Sequence, residues 1–277
     1  MPPSTLTLTV HGTTFLIGST HIPMSRFFHK FLAAAVLIYL GGCVGLYLAQ
    51  RALIYHPTPS LGGDSAASKL KLAVEGAELA ISVNPHEGEN ALIYFGGNME
   101  DVSWSLPLFS KMFPDYAIYL PHYRGYSDST GEPTEQALHD DALALFDKIY
   151  AQHSRVVVVG RSLGSGVAVR LASQRPIVRL VLVTPYDSIE KVAEDKFPLF
   201  PIRWLLVDKF ESWQFAPQIT APTLLVAAEN DQVIPYANTE QLYKSFSRDV
   251  ATLKVIPSRN HDDIMEEPTY LEWLKVQ

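Results

Sequence analysis

The 277-residue chain has one cysteine, Cys43. That excludes an intramolecular disulfide and any thiolate metal cluster. Charge is scarce: Asp, Glu, Lys and Arg make up 18% of residues, and none of them falls between Phe31 and Gln50. Residues 1–51 contain Arg26, Lys30 and Arg51 but no aspartate or glutamate, so the acidic excess behind the net charge of −7 lies wholly beyond them. An acid-rich domain is a poor partner for nucleic acid, and the excess reads as a solvated surface. The chain has no phosphate loop and no Cys/His metal spacing, and Gly96-Gly97 lacks the third glycine of a dinucleotide fingerprint. No cofactor and no metal are expected, and no internal repeat is visible.

The uncharged run from Phe31 to Gln50 is 20 residues long. As a helix rising ~1.5 Å per residue it spans ~30 Å, the hydrocarbon thickness of a bilayer. With Arg26 and Lys30 at one end and Arg51 at the other, the positive-inside rule favours a cytoplasmic N-terminus. The favoured reading is an uncleaved signal anchor over residues 27–50. It makes a single membrane pass with the folded domain extracytoplasmic, on the periplasmic side of the inner membrane in a bacterium. A lipoprotein signal is a rival, because Leu40-Gly41-Gly42-Cys43 resembles a lipobox, and a cleaved secretory signal is another. Residues 1–23 are expected to be a poorly ordered extension or to precede a true start at Met24. Residues 51–69 read as a juxtamembrane linker with a short docking element.

From residue 70 onward, apolar runs alternate with helical patterns. Strands are predicted at Leu79–Val83, Ala91–Phe95, Tyr116–Leu120, Val156–Val159, Leu180–Val183, Thr223–Ala228 and Thr252–Ile256. Such continuous apolar runs suit strands covered on both faces, hence a mostly parallel, doubly wound α/β sheet. A helix is predicted over Thr134–Tyr150, with Leu138, Ala142, Leu145 and Ile149 on one face and Asp140, Asp141, Asp147 and Lys148 on others. Residues 188–214 break the alternation with Phe197, Pro198, Phe200, Pro201, Trp204, Phe210 and Trp213. They are expected to form a short cap, helical in part, with a surface helix pair on the sheet as the alternative. Met99, Phe197 and Trp204 are candidate substrate-binding residues.

The most informative five residues are Gly160-Arg161-Ser162-Leu163-Gly164, after four valines and before a small-residue helical stretch. Strand, sharp turn and helix around G-x-S-x-G form a nucleophile elbow, in which the serine is held strained and exposed above the sheet. A serine hydroxyl needs a base, and the base needs an orienting carboxylate. On this architecture the partners follow in the order serine, acid, histidine. Of nine histidines only His261 follows Ser162. Asp231, after the sixth predicted strand, is the favoured acid, with Glu229 a near rival, Asp187 a weaker one and Asp262 or Asp263 geometrically awkward. The oxyanion of acyl transfer needs donors, expected from the Leu163 amide and from the loop Gly96-Gly97-Asn98-Met99, with Asn98 favoured, Met99 close behind and Gly97 also a candidate.

Several further motifs fall in order: Tyr94-Phe95-Gly96-Gly97-Asn98, His122-Tyr123-Arg124-Gly125-Tyr126-Ser127 and Gly131-Glu132-Pro133-Thr134-Glu135 before the elbow, and Ala221-Pro222-Thr223-Leu224-Leu225 after it. With Asp231 and His261 they make roughly residues 52–277 resemble the α/β-hydrolase superfamily. More narrowly, the chain is similar to small membrane-anchored serine hydrolases. The resemblance implies an α/β-hydrolase fold over 70–277, a Ser162–Asp231–His261 triad and a structural role for Arg124. It departs from relatives at Gly96, where they often have His, at Ser127, where they often have Gly, and at Ala228, where Gly is common. Relatives include esterases, lipid hydrolases, protein depalmitoylases and peptidases. The expected activity is hydrolysis of a carboxylic ester or thioester through an acyl-enzyme, on a small-molecule or acyl-ester substrate, with the N-terminal helix as membrane contact. A serine peptidase of aminopeptidase type and a membrane-tethered non-catalytic binding protein are the alternatives. The oligomeric state is not legible.

Overall fold

The computed structural model describes residues 6–10, 13–17, 24–59 and 68–275. It divides into two units, Met1–Leu48 and Ala49–Gln277. In the first, β1 (Leu6–Val10) and β2 (Thr13–Ile17) pair antiparallel, within the expected N-terminal extension; the rest of that extension lies outside the described residues. Helix α1 follows as Met24–Ile54, so its last turn belongs to the second unit. Its stretch Phe27–Ile54 is long and apolar enough to cross a membrane, with a mean hydropathy of 2.2.

The second unit runs β3 (Ser68–Val74), β4 (Ala77–Asn84), β5 (Asn90–Phe95), α2 (Leu106–Met112), β6 (Ala117–Pro121), α3 (Glu135–Tyr150) and β7 (Arg155–Arg161). It continues with α4 (Leu163–Ala172), β8 (Arg179–Val183), α5 (Ile189–Lys196), α6 (Ile202–Leu205), α7 (Ser212–Phe215), β9 (Thr223–Ala228), α8 (Tyr236–Ser245), β10 (Ala251–Ile256) and α9 (Pro268–Leu274). Eight strands form one sheet in the order β10-β9-β8-β7-β5-β6-β4-β3. Neighbours from β10 to β6 are parallel, while β4 pairs antiparallel with both β6 and β3.

The valines of β7 show why the sheet is covered twice. Val156 and Val158 enter one apolar core, with Leu145, Phe146 and Val167 of α3 and α4. Val157 and Val159 enter the other, with Leu106 and Phe109 of α2 and Tyr270 of α9. All four valines are fully buried, worth roughly 1.5–3 kcal/mol each. The predicted strands appear with ends shifted by no more than two residues. The sequence reading lacked β3, whose Lys69-Leu70-Lys71-Leu72 alternates as an edge strand with one wet face does. Thr134 caps α3, its hydroxyl accepting from Ala137 N at 3.1 Å. One expectation on α3 is corrected: Asp141 is buried, not on an outer face, because Arg124 reaches it with two bonds of 2.7 and 2.8 Å.

The chain leaves β5 toward β6 on one side and returns to β7 on the other. Ligands bind at such a switch point, at the carboxyl ends of the strands. The loop after β5 and the elbow after β7 meet there.

Candidate active site

Ser162 stands between β7 and α4 with φ 49° and ψ −117°, a strained conformation costing about 1–3 kcal/mol. The valine strand behind it outweighs that cost, and three bonds hold the turn. Ser162 N donates to Val183 O at 2.9 Å, Gly164 N to Gly96 O at 3.1 Å, and Ser165 Oγ to Ser162 O at 2.7 Å. The glycines are steric necessities. A Cβ on Gly160 would lie 2.5 Å from Gly164 O and 2.7 Å from the Ala168 methyl, and one on Gly164 would overlap the Phe95 carbonyl.

His261, on the loop after β10, brings Nε2 to 3.0 Å from Ser162 Oγ. Its Nδ1 lies 2.8 Å from Asp231 Oδ2, on the loop after β9. Asp231 is fixed in turn: its Oδ1 accepts from Val233 N at 2.9 Å and Ile234 N at 2.7 Å. Ser162 and His261 are each 7% exposed, so the chain shields the hydroxyl–imidazole bond from bulk water. Asn260 shapes the histidine loop, its Oδ1 accepting from Asp262 N and Asp263 N at 2.9 and 3.1 Å. The rival acids are engaged elsewhere. Glu229 accepts from Ser258 N, and Asp187 accepts from Ser188 N and from Asn238 Nδ2. Burial pushes the Asp187 carboxyl above its usual range.

The loop after β5 lies directly against the nucleophile: a Cβ on Gly97 would sit 3.7 Å from Ser162 Cβ. The loop is tied at both ends of Asn98, whose Nδ2 donates to Ile54 O at 3.0 Å and whose carbonyl accepts from Tyr126 OH at 2.8 Å. Gly97 N already donates to Glu100 Oε2 at 2.9 Å. The amides of Asn98, Met99 and Leu163 remain candidates for an oxyanion; that of Leu163 opens α4, where no intrahelical acceptor exists. Met99 follows on the same loop, exposed. Phe197 and Trp204 are not brought to the triad. Phe197 caps α5 half-buried, and the Trp204 ring, 84% exposed, borders a shallow depression with Lys191, Phe200 and Arg203.

The sequence reading missed the Glu100 carboxylate and the Arg161 guanidinium. Glu100 accepts from Tyr94 OH at 2.8 and 2.9 Å, Ser105 Oγ at 3.0 Å, Gly97 N, and Arg161 NH1 at 3.2 Å. The other arm of Arg161 donates to His261 O at 3.2 Å. One partly buried ion pair thus ties the loop after β5 to the loop carrying the histidine. A signal existed in the opposite charges at Glu100, just past the glycine loop, and Arg161, inside the elbow motif.

Comparison with known proteins agrees with this architecture. Residues 95–221 match the family model described as alpha/beta hydrolase family, and residues 211–268 match that of serine aminopeptidase, S33. The uncharacterized protein Rv2307c of Mycobacterium tuberculosis is 31% identical over 248 residues, covering 84% of this chain and 87% of the relative. The lysophosphatidylserine lipase ABHD12 of Mus musculus is 30% identical over 178 residues, covering 56% of this chain and 45% of the relative. Among solved structures, the Pyrococcus furiosus esterase PF2001 superposes with a TM-score of 0.62 at 15% identity, over 80% of this chain and 97% of that one. Est1E of Butyrivibrio proteoclasticus, with ferulic acid bound, gives 0.59 at 16%, over 74% and 96%. At such identities the likeness is one of fold.

Proposed function

The chain belongs to the α/β-hydrolase family, and from that premise we propose that it is a membrane-anchored serine hydrolase cleaving carboxylic esters or thioesters through an acyl-enzyme. The observation that carries this reading is the line Ser162 Oγ, His261 Nε2, His261 Nδ1, Asp231 Oδ2, with separations of 3.0 and 2.8 Å.

His261 takes the proton of Ser162 as Oγ attacks the acyl carbonyl. The amides of Leu163 and Asn98 receive the oxyanion, each donor worth roughly 3–4 kcal/mol in the transition state. Asp231 orients the ring and stabilises its charged form. His261 then passes the proton to the departing alcohol or thiol, and a water activated by the same nitrogen releases the acid. Helix α1 holds the domain at a membrane, on the extracytoplasmic side, so amphiphilic acyl esters are the substrates within reach. The lipase activity in the name of the ABHD12 relative points the same way.

A peptidase is the second reading, supported by the match of residues 211–268 to the serine aminopeptidase model. A panel of acyl esters against aminoacyl amides separates the two. Covalent labelling by a fluorophosphonate tests the shared premise. Stoichiometric labelling is expected, absent in Ser162→Ala, with turnover of an ester falling ~10⁵–10⁶-fold in that variant. If folded wild-type protein refuses the probe, the hydrolase reading fails and a tethered binding protein takes its place.

A further inference from the structure

From Ala49 onward, six large apolar side chains are more than half exposed among the described residues: Leu53, Met99, Trp104, Leu199, Trp204 and Val207. Trp204 at 84% and Leu199 at 81% cover almost nothing. Single exposed apolar residues are ordinary, but a cluster marks an interaction surface. These six occupy three short segments, and each segment contains, is bonded to or directly follows a residue bonded to the last turn of α1 and Tyr55 just after it. Leu53 is on that turn. Met99 and Trp104 follow Asn98, whose Nδ2 donates to Ile54 O. Leu199, Trp204 and Val207 lie on the stretch 199–208, whose residues 205, 207 and 208 bond Gln50, Arg51 and Tyr55. Gln50 Nε2 donates to Leu205 O at 3.2 Å and Val207 N to Gln50 Oε1 at 2.6 Å, while Asp208 accepts from Arg51 and from Tyr55 OH at 3.1 and 3.2 Å. Gln50 and Arg51 in turn close the apolar run that is long enough to span a bilayer.

We propose that this face, formed by Leu53, the 99–104 loop and residues 199–207, lies in the interfacial zone of the lipid bilayer, with Trp104 and Trp204 as its anchors. The inference rests on the reading of α1 as a membrane anchor and not on the ester chemistry. The occupant is fixed by continuity: the chain enters this face directly from the apolar span, so the surface beside Gln50 and Arg51 meets the headgroups. Indole suits that depth, with an apolar ring and one N–H to pair. Basic and acidic residues are mixed on residues 190–211, so the apolar contact needs no anionic lipid. The 97–99 loop belongs to both this face and the nucleophile's surroundings. An acyl ester therefore reaches Ser162 from the bilayer without first dissolving in water, and Met99 and Trp204 act on the lipid surface rather than as walls of an acyl pocket.

The full chain reconstituted in phosphatidylcholine vesicles tests this, with brominated phosphatidylcholine as a quencher inside the bilayer and acrylamide as one in water. Of four tryptophans, two are expected at the lipid, so bromolipid removes about half of the emission. That quenching is lost in Trp104→Phe/Trp204→Phe and retained in Trp273→Phe. Equal bromolipid quenching with and without Trp104 and Trp204, or full acrylamide access to them in vesicles, overturns the proposal. Protection from acrylamide without bromolipid quenching means a protein occupant and also overturns it. This arm needs no turnover, so it reads the same in Ser162→Ala and is independent of the hydrolase reading. In a second arm, Leu199→Gln/Val207→Gln lowers turnover of a long-chain ester held in vesicles about 10-fold while sparing a short soluble ester. An equal loss on both esters is a folding defect unrelated to lipid and counts against the inference.

Discussion

At the scale of single residues, Glu100 carries the most unexpected load. Its carboxylate receives Tyr94, Gly97, Ser105 and Arg161, and Arg161 holds the carbonyl of His261. Glu100→Gln keeps the shape but puts an NH2 where an acceptor stood and leaves the partly buried guanidinium with only the exposed Asp262 carboxylate, 3.9 Å away, as counter-charge. Removing one partner of a fully buried pair costs roughly 3–5 kcal/mol; for this partly buried pair a smaller loss is expected, seen as a lower melting temperature. If the pair also positions the two loops, kcat falls ~10–100-fold on a short soluble ester with KM nearly unchanged, after normalising to fluorophosphonate-reactive sites. A lowered melting temperature with full kcat per reactive site would limit Glu100 to holding the fold. The contrast with the triad shows what a sequence can tell. Ser162 announces itself through its glycines, and His261 through being the one histidine downstream. Glu100 and Arg161 are 61 positions apart with no spacing rule, and only the switch point of the sheet makes them neighbours.

At the scale of elements, continuous apolar runs located the interior strands because β5, β7, β8 and β9 are covered on both faces. Apolar patterning failed where one face is wet, at β3, and where polarity is buried, on α3. Asp141 looked like a surface residue because its partner Arg124 lies in another motif. Two buried histidines follow the same pattern. His122, just after β6, bonds Ser82 of β4 at 3.0 Å, and His139 on α3 packs beside Phe210 and 3.5 Å from Glu135. Burial holds both imidazoles below the ordinary value of 6.5, against the opposing pull of Asp101 on the first and Glu135 on the second. The unfolded chain then binds protons more readily than the folded one as pH drops below 6.5. Stability contributed by the neutral rings is whole above 6.5 and declines as pH falls toward the folded-state values, by up to about 1.4 kcal/mol per pH unit for each proton. Urea unfolding between pH 7.5 and 5 is expected to show this slope, and His139→Gln and His122→Gln to flatten it in part, whatever they do to stability at neutral pH. An unchanged slope in both variants would assign the acid sensitivity to other groups.

At the scale of the molecule, charge marks an uncharged segment followed by an acid-rich remainder. What sequence could not reveal is that the seam between them is part of the hydrolase core. Ile54 and Tyr55 belong to the same apolar cluster as Val156 and Val158 of β7 and the apolar residues of α4. Asp208 is 4% exposed and has Arg51 and Tyr55 as its partners. Burial, and after it the charge of that carboxylate, pushes the Tyr55 phenol well above its usual range. Residues 50–55 therefore serve as the end of the apolar helix and as a strut against residues 205–208. Two truncations separate these roles. A chain beginning at Ala49 lacks the apolar run but keeps Gln50, Arg51 and Tyr55, and is expected to fold and to turn over a short soluble ester like the full chain. A chain beginning at His56 strands Asp208 as an unpaired buried charge and opens the space of the Tyr55 ring. It is expected to lose roughly 3–5 kcal/mol or more in denaturant unfolding. Equal stability of the two chains would reduce the seam to a tether; the expected difference would make the last turn of the helix and Tyr55 part of the catalytic domain's own fold.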